Sequence, residues 1–220
     1  MKNRPSESAV SSSPPPRKSD VLFRADKEDW QANACLNYVH WPDHLYSSGY
    51  RKAARSLAEQ VCSSYRDQDS LIYPIVYLYR HCTELILKDI ILIANELLDK
   101  ELSEQEIKAL GRHGLSKLWT QLRPLLNQVC ECAGNPAFPE EDLEGIDSYI
   151  QQIQEYDPDG QRFRYATMKN RKPSLKEDLQ HINIRVFANA MEMLIEYIES
   201  IEGWFSHLCS EKQDMEQYNS

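Results

Sequence analysis

Between Leu71 and Leu97 the chain is apolar on nearly every side of a helix: Leu71, Ile72, Ile75, Val76, Leu78, Leu85, Ile86, Leu87, Ile90, Ile91, Leu92, Ile93 and Leu97. A helix without a polar face must be surrounded by other elements. The spacing predicts one long helix from an N-cap at Ser70 to about Asp99, with Pro74 tolerated in its first turn. A membrane span is excluded, because Arg80, His81, Glu84, Lys88 and Asp89 interrupt the run. This segment therefore reads as the middle of a helical bundle.

The rest of the chain supplies the neighbours. Glycine is scarce, 7 of 220 residues, and four of the 11 prolines fall in the first 16. A sandwich or barrel would need turn residues that this body lacks. Helices are predicted from Asp26 to about Val39, from Tyr46 to Tyr65, from the capping box Ser103-x-x-Glu106 to Gly111, from the HGLSKLW segment through Val129, and over 140–156. A second capping box, Ser174-x-x-Glu177, predicts a last helix over 175–209. Its residues Phe187, Met191, Leu194, Ile198, Ile201, Phe205 and Leu208 form a heptad-like seam, suited to bundle packing or to a helical homodimer. The fold class expected is all-α, an antiparallel helical bundle with two long central helices. Residues 1–19 read as a disordered Ser/Pro-rich tail, 20–210 as one domain and 211–220 as a polar tail.

Charge narrows the function. The net charge is −9, and residues 1–20 hold two more bases than acids, leaving −11 on the remainder. Such a body repels nucleic-acid backbone unless a local basic patch overrides it. One segment qualifies: QRFRYATMKNRK, residues 161–172, with Arg162, Arg164, Lys169, Arg171 and Lys172 and no acid. Arginine binds phosphate bidentately and Phe163 and Tyr165 could stack on bases, so these five cations, with Lys88, form the candidate anion or RNA face. The competing reading pairs the two arginines with acids of this same chain and leaves the others in a solvated loop. Read as extended, the segment would send Arg162 and Arg164 to one side and bring at least one of them to Glu84.

The second constellation lies on the apolar helix. Arg80, Glu84 and Lys88 stand at i, i+4 and i+8 and share a face, flanked by His81. An internal ion-pair ladder on a solvated stripe is the bland reading. A polar cleft with His81 as acid or base is the sharp one. His113 reads as a capping or packing residue near a helix start. Six cysteines without an export signal suit a reduced, cytoplasmic protein. Cys130-x-Cys132 is too tight for a zinc pair, and His40 and His44 are separated by Pro42, so no metal or other cofactor is expected.

YPIVYLYRHCTELILKDIILI, HGLSKLW, QRFRYATMKN and HINIRVFANAMEMLIEYI, in that order, resemble the HEPN-like superfamily of bacterial proteins over roughly residues 45–208. The resemblance implies an antiparallel bundle that often dimerises and acts in a bacterial stress or phage-defence setting. It implies either a binding module for RNA, a nucleotide or a partner protein, or a metal-independent endoribonuclease. Catalytic members carry an arginine, a polar residue and then a histidine several residues later on one helix. Here Arg80–His81 and Arg112–His113 are adjacent pairs, so only Arg80 and His81, with Glu84, could form a variant catalytic site.

Overall fold

The structure, a computed structural model, describes residues 17–36, 43–111 and 113–219. The chain divides into two compact units, Met1–His40 and Trp41–Ser220. The expectations for residues 1–16, for Tyr38, Val39, His40 and Pro42, and for Arg112 fall outside the described residues.

In the first unit the helix expected from Asp26 does not form. One 3₁₀ turn, Trp30–Ala32, stands in its place. Asp26 Oδ1 accepts hydrogen bonds from the backbone N–H groups of Glu28 and Asp29, and Asn33 exchanges two bonds with Asp26. Short polar side chains here satisfy the backbone that a helix would have used. Trp30 and Leu36 stay exposed, so no buried face rewards the helix.

The described residues of the second unit form six helices and no strand: α1 Asp43–Ser64, α2 Gln68–Leu97, α3 Glu104–Leu110, α4 Leu115–Cys132, α5 Glu140–Tyr156 and α6 Ile184–Asn219. The all-α bundle stands. α2 starts earlier than expected: Asp67, with positive φ, is its N-cap, and Ser70 donates its hydroxyl to the Asp67 carbonyl. At 30 residues α2 is about 45 Å long and packs against α1, α4 and α6. Ile75, Tyr79, Cys82, Ile86, Ile90 and Ala94 are fully enclosed. Each large aliphatic side chain among them contributes about 1.5–3 kcal/mol on burial. The Ser103–Glu106 capping box forms reciprocally and α3 stops at Gly111.

The last helix is displaced from its expected start. Residues 157–183 form an irregular strap that includes 174–183, and α6 begins at Ile184, where Asn183 Oδ1 accepts from the Val186 N–H. Ser174 does not cap: its N–H donates to the Ala166 carbonyl and its hydroxyl has no hydrogen-bond partner. α6 then continues through 211–219, with Lys212 bonded to Asp99. Its seam residues Met191, Leu194, Ile198, Ile201 and Phe205 are buried inside the chain.

α1 is tied to α6 by Arg185, which donates to the Cys62 carbonyl at 3.0 Å, and above all by Arg51. Arg51 donates to Glu192 at 2.7 and 2.9 Å, to Glu196 at 3.0 Å and to Glu199. Tyr79 of α2 adds its hydroxyl to Glu192 at 2.8 Å. Burial pushes the Glu199 carboxyl above its usual range, against the attraction of Arg51. Replacing Arg51 with Leu should remove the cation shared by Glu192, Glu196 and Glu199 and cost about 2–4 kcal/mol at neutral pH, read by urea unfolding. Glu199, already raised by burial and then without Arg51, binds its proton more readily in the folded state, so the deficit should shrink as pH falls through its raised pKa. A deficit that does not change with pH would reject the charge-based account.

Candidate functional site

The charged stripe of α2 is buried rather than solvated. The side chains of Arg80 and Glu84 are 3% and 1% exposed. Arg80 Nη1 donates to Glu84 Oε2 at 3.0 Å, and Lys88 Nζ donates to Glu84 Oε1 at 2.7 Å. The ladder inferred from i, i+4, i+8 spacing is therefore real, but it is sealed beneath two loops that sequence spacing did not reveal.

The first loop precedes α4. His113 Nδ1 lies 2.8 Å from Glu84 Oε1. A carboxylate cannot donate, so Nδ1 carries the hydrogen. The His113 carbonyl accepts from Arg80 Nη2. The second loop follows α5. Arg80 Nε donates to the Asp157 carbonyl at 3.3 Å and faces Asp157 Oδ2 at the same distance. Gly160, with φ +72°, closes over the guanidinium: a Cβ there would stand 2.6 Å from Nη1. Burial pushes the Glu84 carboxyl up, but hydrogen bonds from Lys88 and His113 overcome it and hold it below the usual carboxylate range. His113, Asp157 and Gly160 were not among the expected site residues. The only trace of the second loop in the sequence was the turn signal Asp157-Pro158-Asp159-Gly160.

His81 does not join this network by any hydrogen bond. It stacks on Tyr77, ring centroids 5.7 Å apart and 7° from parallel, and meets Tyr50 edge-on at 4.6 Å. Burial holds its pKa below the ordinary histidine value, and the cations of Lys88 and Arg80 act in the same direction against the pull of Glu84.

Residues 161–172 are not extended. Gln161 starts a tight turn that accepts from the Arg164 and Tyr165 N–H groups, and a bridge closes Thr167 against Pro173. Arg162 and Arg164 consequently diverge. Arg162 turns inward, its N–H bonded to Asp157 Oδ1 at 2.9 Å and its guanidinium to the Ser174 carbonyl at 3.3 Å. It also faces Asp159 at 3.7 Å. Arg164 turns outward, 5.1 Å from the Tyr77 ring centroid and 5.4 Å from that of Tyr165. The expected contact of either arginine with Glu84 is not made, because Arg80, Lys88 and His113 already fill both carboxylate oxygens. Phe163, between them in sequence, is buried as an anchor and is not presented for stacking on a base. Lys169, Arg171 and Lys172 sit exposed on the same loop.

The expected set therefore separates. Arg80, Glu84 and Lys88 form a structural network, while His81 and Arg164 belong to an outer row of rings, Tyr50–His81–Tyr77–Arg164–Tyr165. Beside that row, Tyr73, Pro74, Tyr77, Phe163, Arg164 and Tyr165 line an open cleft. No acid pairs with the Arg164 guanidinium among the described residues. The described residues hold no cluster of three His, Cys, Asp or Glu side chains fit for a metal, and no described helix is long and apolar enough to cross a membrane. No family model, curated protein or solved structure matches the chain.

Glu84→Ala should cost about 3–5 kcal/mol, because it strands Arg80 in the interior. As the carboxylate is depressed when folded, its stabilisation should persist at neutral pH and disappear only as pH falls through that lowered pKa. Urea titrations of wild type and variant across the acid range check this. Gly160→Ala should lower the unfolding free energy by at least about 2 kcal/mol, through its backbone angle and its collision with a guanidinium that cannot move.

Proposed function

We propose that this chain is a HEPN-like helical binding module that holds single-stranded RNA without cutting it, in the bacterial stress or defence setting that the resemblance implies. The observation that carries the reading is the Arg164 guanidinium, held between two tyrosine rings at the mouth of an open aromatic cleft with no acidic partner. Tyr73 and Tyr165 offer exposed faces on which bases can stack, and Arg164, Lys169, Arg171 and Lys172 supply the positive charge. Arg80, by contrast, is only 3% exposed and donates to Glu84, Asp157 and His113. A guanidinium in that position cannot meet a phosphate without opening the core. That weighs against the endoribonuclease that would use Arg80 and His81. Most of the seam that motivated a homodimer is covered within one chain, and the RNA cleft is lined by residues of one chain, so the reading does not depend on a second copy.

Fluorescence anisotropy with a labelled oligouridine tests the proposal. Arg164→Ala should weaken binding roughly tenfold, and the affinity of wild type should fall with salt with a log–log slope of about −2 to −3, as four cations on a single strand require. Total RNA incubated with the protein should remain intact. Cleavage that is lost in His81→Ala would restore the nuclease instead.

A further inference from the structure

Behind the 157–183 strap lies a partly enclosed cavity of about 220 Å³ between α2, α5 and α6. Its wall is built mainly from Val76, Tyr149, Ile153, Phe163, Phe187 and Met191. Arg80 and Asp157 form the polar end. The cavity exists because α5 packs on α4 and the strap, rather than another helix, closes the space towards α6. The strap is held on α5 by Lys176, which bonds Glu155 at 3.1 Å and lies 5.2 Å from the centre of the Tyr156 ring.

Close-packed interiors do not leave such volumes empty without a cost, and an engineered apolar cavity of about 150 Å³ is enough to take up benzene. The polar end adds a second sign. Asp157 is 1% exposed, yet its Oδ2 accepts no hydrogen bond, because the single Nε hydrogen of Arg80 goes to the Asp157 carbonyl. A buried acceptor left open on the cavity wall marks a place where a donor is missing. Charge decides the class of occupant. Arg80 and Lys88 balance Glu84 and Asp157, so the polar end has no surplus of either sign to attract an ion.

We propose that this cavity is a binding site for a neutral, largely apolar small molecule of about nine non-hydrogen atoms carrying one hydrogen-bond donor. The site lies on the inner side of the RNA face and shares one residue with it: Phe163 lines both, whereas Arg164, the next residue, faces outward and does not line the cavity.

Indole is a probe of that size and chemistry. Titrated into the full chain and followed by amide chemical shifts, it should saturate with a Kd of about 0.1–1 mM and raise the melting temperature. Benzoate and benzylammonium, similar in size but charged, should bind at least about tenfold more weakly. Ala190 also lines the cavity, so Ala190→Phe should fill it and weaken indole at least about tenfold while the melting temperature holds or rises. Should that variant fail to fold, Ala190→Leu makes the same test with less added volume. Absence of saturable shifts in the wild type, indole binding that survives a folded filling variant, or benzoate binding as tight as indole would each overturn the proposal.

Discussion

A guanidinium in the middle of a protein must have its donors met, and Arg80 sets that demand at the centre of this bundle. Its own helix meets only part of it, through Glu84 one turn away. The remainder comes from two segments distant in sequence, the carbonyls of His113 and Asp157, with the Asp157 carboxylate facing the guanidinium as a counter-charge. One side chain therefore determines where the start of α4 and the end of α5 sit on α2. Gly160 belongs to the same requirement, since only a residue without a Cβ lets the backbone close over the guanidinium.

The same network sorts the α2 surface into two chemistries. Towards the core side Arg80 and Glu84 neutralise each other and are withdrawn from solvent. One residue further round, His81 and Tyr77 face outward and stack, with burial keeping the imidazole below its ordinary pKa. The strap makes a similar division within three residues: Arg162 bonds inward, Phe163 fills the apolar wall and Arg164 faces the tyrosines. That alternation comes from the turn at Gln161. A strand would have placed both arginines on one side and removed either the inner tie or the outer cation.

What could be read from sequence follows from the range of the interactions. α2 was legible because its apolar residues cover every face, and the ladder because i, i+4 neighbours meet on any helix. α3 was legible because its capping box is local and complete. Ser174-x-x-Glu177 has the same local pattern and failed, since Pro173 is held in a bridge, Ser174 donates its N–H to Ala166, and Leu179 and Ile182 line the apolar cavity. There a tertiary contact outweighed about 1 kcal/mol of capping. Asp26 failed for the converse reason: its cap exists, but nothing packs on the apolar side that would have followed it. His113 and Asp157 were illegible as partners of Arg80 because 33 and 77 residues separate them from it, and no periodicity spans such distances.

The position of Glu84 explains why these charges serve structure better than chemistry. An acid–base or phosphate-binding group must change its charge or its partner during a cycle, and it does so at low cost only where solvent or substrate can compensate. Glu84 receives Arg80, Lys88 and His113 at once while its own side chain is 1% exposed, so moving any one of them leaves a buried carboxylate short of a partner. Arg164 has the opposite arrangement. Its tyrosine neighbours hold the guanidinium by its faces and leave its N–H edges for an anion. An anion can arrive there and depart without disturbing the core, and for that reason the recognition chemistry of this bundle belongs on the strap and its structural chemistry on α2.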